Sequence, residues 1–108
     1  MMLSDREIAK RYINKINDAQ QRDVEFDLSL RAFINVFKSK KCQLTGIPLT
    51  SETITIDRID SRLGYVSGNV MAIHSSVNSL KGTIENPNNR LTFNNVRKML
   101  KVLEKRNV

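Results

Sequence analysis

The sequence predicts an α+β fold for this chain of 108 residues, with helices at both ends and a strand–loop–strand–helix unit between them. Three observations carry the prediction. Apolar residues recur at helical spacing behind capping residues near both ends. β-Branched residues run together at Thr53, Ile54, Thr55 and Ile56. A polar, glycine-containing loop then leads into the apolar run Val70-Met71-Ala72-Ile73.

Taken in order, Ser4-Asp5-Arg6-Glu7 is a capping-box pattern, and Ile8, Tyr12, Ile13 and Ile16 follow at helical spacing, predicting a first helix from Ser4 to about Gln21. Asp27 or Ser29 can cap a second helix whose stripe is Leu30, Phe33, Ile34 and Phe37, ending at Lys38, Lys40 and Lys41. Lysines there complement a helix C-terminus as readily as they meet DNA. From Cys42 to Ile56 the sequence reads as two short extended segments around a turn marked by Gly46 and Pro48. The loop from Arg58 to Asn69 and a strand at 70–73 come next. Ser75 or His74 then caps a short helix through about Lys81, which Gly82 is placed to close. Thr92 caps a last helix carrying Val96, Met99, Leu100 and Leu103, with Leu91 and Val96 as a hydrophobic staple. We read residues 1–108 as one domain: a helical part at 1–40, a core at 41–82 and a C-terminal helix at 83–108.

Composition narrows the partners. Eighteen Lys and Arg against 11 Asp and Glu give a formal charge of +7, the footprint expected of a protein that meets polyanions, and DNA is the first to consider. No apolar run approaches the length of a membrane span, and no secretory core follows the first charges, so a cytoplasmic location without membrane contact is expected. A single cysteine, Cys42, excludes an internal disulfide and agrees with a reducing compartment.

The candidate chemistry is concentrated in TIDRIDSRLGYVSGNVMAIHSSVN, residues 55–78, which holds the one histidine of the chain. On the residues alone, Asp57 and Asp60 read as turn and capping residues and Asn69 as a turn residue after Gly68. Asn78 is a poor helix former inside a helix, which favours a functional reason for it. Gly64 serves the loop turn, and Tyr65 reads as a packing aromatic.

The segments KCQLTGIPL and IDRIDSRLGYVSGNVMAIHSSVNSLKG together resemble the core of the HNH, or His-Me finger, endonucleases, above all small phage and prophage members with an Asp-Arg-Ile-Asp signature. The resemblance covers residues 41–82. It implies a ββα-metal core and a metal-dependent DNA endonuclease that hydrolyses phosphodiester bonds, in a host cytoplasm if phage-encoded. By position, Asp57 becomes a metal ligand, Asn69 the residue that fixes the loop, and Asn78 the second ligand on the helix. One Mg²⁺ or Mn²⁺ is the implied cofactor, suited to a carboxylate and an amide oxygen. Arg58 stands where the family has its histidine base, and a guanidinium cannot accept a proton. Arg58, Arg62 and Lys81 are then candidates to hold phosphates, and His74 is a candidate base or structural residue. Four positions that carry zinc ligands in many relatives read Cys42, Thr45, His74 and Val77, so no structural zinc is expected and Cys42 reads as a small buried hydrophobe. The second reading is an HNH-fold module that binds nucleic acid or a host protein without cutting. A homodimer is the further assembly that double-strand cutting would call for.

Overall fold

The computed structural model describes residues 3–107 and divides into two compact units, Met1–Asn78 and Ser79–Val108. Among the described residues there are four helices and one two-stranded antiparallel sheet, a small α+β arrangement: α1 (Asp5–Gln21), α2 (Leu30–Phe37), β1 (Ile54–Arg58), β2 (Val70–His74), α3 (Ser75–Glu85) and α4 (Phe93–Arg106). None of these helices is long and apolar enough to cross a membrane.

In the first unit each predicted cap closes its helix. The Ser4 hydroxyl accepts the Glu7 N–H at 3.2 Å, and Ser29, not Asp27, accepts the Ala32 N–H at 3.1 Å. The Glu7 carboxylate bonds the Ser4 hydroxyl at 3.3 Å, so the reciprocal half of the expected box is made through the side chain. Phe33 and Phe37 of α2 are buried with Ile8 and Ala19 of α1, Leu28, Tyr65, and Ile54, Ile56 and Ala72 of the sheet. Aromatic contacts tie this core, with Tyr12 edge-on to both Phe26 and Phe33 at 5.5 and 5.3 Å between centroids.

The sheet has two unlike faces because side chains alternate along each strand. Ile54 and Ile56 lie on the face of the first core. Met71 and Ile73 lie on the other, in a second cluster with Cys42 against which Leu49 and Val77 pack. Val77 thereby lays the first turn of α3 on that second face.

Two predicted elements are corrected. Cys42–Thr50 forms no regular strand: the Cys42 N–H donates to Ile47 O and the Gly46 N–H to Cys42 O, both at 2.8 Å, around Gly46 at φ +78°. This tight turn leaves a lone bridge between Lys41 and Pro48. Side-chain and main-chain bonds from Gln43 then dock it on β2, its Oε1 accepting the Ala72 N–H at 2.6 Å and its N–H donating to Ala72 O at 3.0 Å. Gly82 does not close α3, which runs on to Glu85. Gly82 is absent from the left-handed region that a C-cap glycine adopts, and the helix stops where Asn86-Pro87 forbids continuation.

In the second unit Thr92 and Asn95 form a complete capping box, each side chain bonded to the other's backbone N–H at 3.1 and 3.0 Å. No residue of α4 is buried.

Candidate functional site

The loop between the strands is fixed by one side chain. Asn69 is only 6% exposed, and its amide meets three loop groups. Nδ2 donates to Gly64 O at 2.8 Å and to Asp60 O at 3.1 Å, while Oδ1 accepts the Asp60 N–H at 2.9 Å. Two carbonyls demand a donor and one N–H demands an acceptor, so these partners also fix which way the amide points. Gly68 at φ +83° turns the chain into it. The loop is docked from the far side as well: the Tyr65 N–H donates to Glu25 O at 2.8 Å and the Asp27 N–H to Tyr65 O at 2.9 Å. Gly64 is required here, since a Cβ would lie 2.4 Å from the Glu25 carbonyl oxygen.

Asp57 pairs across the sheet with Met71, and residues directly opposite share a face. Asp57 therefore stands on the face against which Val77, in the first turn of α3, packs; its Oδ2 is shielded from solvent, whereas Asn78, the next residue after Val77, is exposed.

Arg58 goes the other way. It shares the face of Ile54 and Ile56, lies over the Tyr65 ring at 5.4 Å, and its Nη1 donates to Ser61 O at 2.9 Å and Leu63 O at 3.1 Å. Its Nε is buried without a hydrogen-bond partner among the described residues. This arginine holds the loop, bridging two carbonyls that Asn69 does not reach. Arg62 is also engaged, with Nε and Nη2 on the two oxygens of Asp60 at 3.1 and 2.9 Å. Hydrogen bonds from the Arg62 side chain and backbone hold the Asp60 carboxyl down from 3.8 to about 2. A depressed carboxyl supports the folded turn at pH above its ordinary value and loses that support as the pH falls towards 2.

His74 caps α3. Its Nδ1 accepts the Ser76 N–H at 3.0 Å, which places the ring proton on Nε2 and occupies the lone pair a base would use. His74→Ala should therefore cost about 1 kcal/mol, the usual worth of a cap, and His74→Asn should restore most of it. Urea melts of the three proteins check this; equal loss in both variants would show that the ring does something besides capping.

Cys42 is free and 2% exposed. Burial pushes its thiol up, but hydrogen bonds with the Thr45 side chain and the backbone of His74, Leu44 and Thr45 outweigh this and leave it below the ordinary value. Of the four positions that could have formed a zinc site, Thr45 and Val77 bring no ligand, Cys42 is hydrogen-bonded and His74 is spent on the cap, so the set does not fit zinc. Lys81, in the second unit, pairs with Glu85 at 2.6 Å.

The structure thus brings Asp57 and the start of α3 to one face and sends Arg58 to the other. Sequence reasoning missed Arg11, whose Nη2 and Nη1 donate to Ser51 O at 2.8 Å and Ile54 O at 3.3 Å and so anchor the start of β1 to α1. It also missed Gln43. Side-chain grips on backbone groups 29 to 43 residues away leave no periodic or spacing signal.

No family model matches the chain, and no solved structure matches it. It is similar to a protein of Enterobacteria phage T4 described as "Uncharacterized 29.0 kDa protein in dda-modA intergenic region", 28% identical over 80 residues. The match takes in 70% of this chain and 32% of the phage protein, so it spans about a third of that relative's length.

Proposed function

We propose that this is a metal-dependent DNA endonuclease of the HNH type, phage-encoded, with β1, the loop, β2 and α3 serving as a ββα-metal core. The observation that carries the reading is the loop held by Asn69 between two strands, with Asp57 on the sheet face against which Val77, the neighbour of Asn78, packs. A shielded carboxylate oxygen and an amide oxygen are hard donors, which fits Mg²⁺ or Mn²⁺, and Asp57 and Asn78 would hold the ion. When bound, such an ion supplies charge stabilisation for the developing phosphorane and leaving oxygen. Asn69 and Arg58 keep the loop, and with it the end of β1, in one arrangement. The excess of cations draws the DNA backbone to the protein.

A second reading has its own support. Arg58 cannot serve as a base and is turned onto the loop, and His74 has its basic nitrogen engaged. These features suit a module that binds DNA or a host protein without cutting it.

Supercoiled plasmid with Mg²⁺ or Mn²⁺, with and without EDTA, separates the two. We expect slow nicking that EDTA stops, because general-base loss costs ~10²- to 10⁴-fold and leaves cleavage measurable. Binding to a duplex should weaken roughly 40-fold between 50 and 200 mM salt if about three phosphates are neutralised. Tight binding with no nicking in either metal supports the binding module; affinity indifferent to salt, or no DNA binding, points to a protein partner instead.

A further inference from the structure

The three cations expected to hold phosphates are engaged within the fold: Arg58 meets two loop carbonyls, Arg62 grips Asp60 and Lys81 pairs with Glu85. Other residues must supply the attraction that a charge of +7 implies. Two adjoining clefts in the first unit gather them. One, of about 310 Å³, runs between α1 and β1 and is lined by Arg11, Asn14 and Lys15. The other, of about 280 Å³, lies beyond the end of α2 and is lined by Lys38, Ser39, Lys40, Thr50 and Ser51. Phe37 and Ile54 belong to both. Arg11 stands where the clefts meet, because its guanidinium donates to Ser51 O in the second and to Ile54 O in the wall they share.

We propose that this cationic track holds the phosphodiester backbone of DNA, with Lys15, Lys38 and Lys40 each meeting a phosphate and Arg11 standing between them; the inference rests on DNA as the partner. Among the described residues, none of these four cations pairs with a carboxylate, and the one acid that lines either cleft, Asp18, is paired with Arg22 at 3.4 Å. The positive charge is uncompensated. Part of it is also positioned, since Arg11 lies over the Phe37 ring at 5.6 Å and Lys15 over the Tyr65 ring at 5.3 Å. Lys15 follows Arg11 by one turn of α1, about 6 Å along its axis. Hydrogen-bonding capacity selects the occupant. An extended acidic peptide brings N–H donors that need carbonyls, but Ser51 O and Ile54 O are engaged by Arg11, Thr50 O by the Thr53 and Ile54 N–H groups, and Lys40 O by the Leu49 N–H. Nor is there a strand edge to extend: Ile56, the next residue to turn its backbone away from β2, is only 4% exposed. A phosphodiester backbone brings acceptors alone. Ammonium, guanidinium, hydroxyl and amide groups are what the clefts put forward, and all of them donate to phosphate oxygens.

The test is fluorescence anisotropy of a short labelled DNA duplex with the full chain, in EDTA and over a range of salt concentrations. Each phosphate neutralised adds about 0.9 to the slope of log affinity against log salt, so Lys15→Gln, Lys38→Gln and Lys40→Gln combined should lower that slope by about 2.7. Arg6→Gln, Lys10→Gln and Arg31→Gln combined remove as much charge from positions that line neither cleft. That control should lower the slope by less than about 1, since screening confines what distant charges contribute. Lys15→Arg, Lys38→Arg and Lys40→Arg combined should leave the slope as in wild type. Thermal melts establish that each protein is folded at the assay temperature. Should loss of Lys15 from the Tyr65 ring unfold the first triple, Lys38→Gln with Lys40→Gln, both at exposed positions, should still lower the slope by about 1.8. Equal slopes in the two glutamine triples overturn the track and leave DNA binding standing as an effect of overall charge. A wild type that binds no DNA overturns the track and the DNA reading together, as does one that prefers polyglutamate or phosphatidylserine vesicles to duplex. With EDTA present neither metal nor cleavage enters these outcomes, so the endonuclease reading is tested separately.

Discussion

Asn69→Ala should lower stability by about 3 kcal/mol, and it should do so by releasing the loop rather than by emptying the core. The side chain removed is small, but three backbone groups depend on it: the N–H and C=O of Asp60 and the C=O of Gly64. A buried polar group left without a partner costs about 1–3 kcal/mol. The loop can recover part of that by opening to water, which keeps the total below the sum of three. For a domain of this size the midpoint of thermal unfolding should fall by ~10–20 °C. Asn69→Asp is the sharper variant. It keeps the volume and the acceptor for the Asp60 N–H, yet it turns two hydrogen bonds to carbonyls into two repulsions, so it should be at least as damaging as alanine. A loss under about 0.5 kcal/mol in both would show that the loop is held by Arg58 and the Glu25–Tyr65 pairing alone.

The loop also marks how far the sequence could be read. Elements whose signals are local were legible: Ser4, Ser29 and Thr92 cap the helices they announce, and the β-branched run at 53–56 leads directly into β1. Asn69 was legible as the residue that fixes the loop only through the resemblance, since nothing in a Gly-Asn pair says that the amide is turned inward onto three backbone groups. The turn at 42–48 misled because its apolar and β-branched residues resemble strands, while what decides it is Gly46 in the left-handed region and the grip of Gln43 on β2. Gly82 misled for the converse reason: glycine suits a C-cap, but the proline at 87 is the stronger stop. The opposed faces of Asp57 and Arg58 follow from strand alternation once β1 is known to include both. What alternation could not disclose is that the guanidinium folds back onto Ser61 and Leu63.

That placement fixes what substitution of the two neighbours should do. Asp57→Ala should reduce any divalent-dependent cleavage roughly 10³-fold, to background, because losing the ion removes several kcal/mol of charge stabilisation. It should also abolish any stabilisation by Mg²⁺ or Mn²⁺, which for a chain that binds the ion would be about 2.7 kcal/mol at a hundredfold excess over the dissociation constant. That second readout needs no activity, so it tests the ligand role even in a protein that does not cut. Arg58→Ala should lower both stability, by about 1–3 kcal/mol for the two carbonyls it bridges, and cleavage, while leaving the metal-induced shift in place. Arg58→Lys separates holding the loop from contacting phosphate. An ammonium keeps the charge but, on a shorter side chain, lacks the planar guanidinium that lies over Tyr65 while its Nη1 meets both Ser61 O and Leu63 O. A loop role predicts that lysine melts like alanine, and a phosphate role that lysine cleaves like arginine. Arg58→His then asks whether the end of β1 still presents water and phosphate to a base: increased cleavage means that it does. If wild type and Arg58→His both leave duplex, branched and single-stranded DNA intact, while binding to DNA persists and falls with salt, the chain is a binding module built on this scaffold.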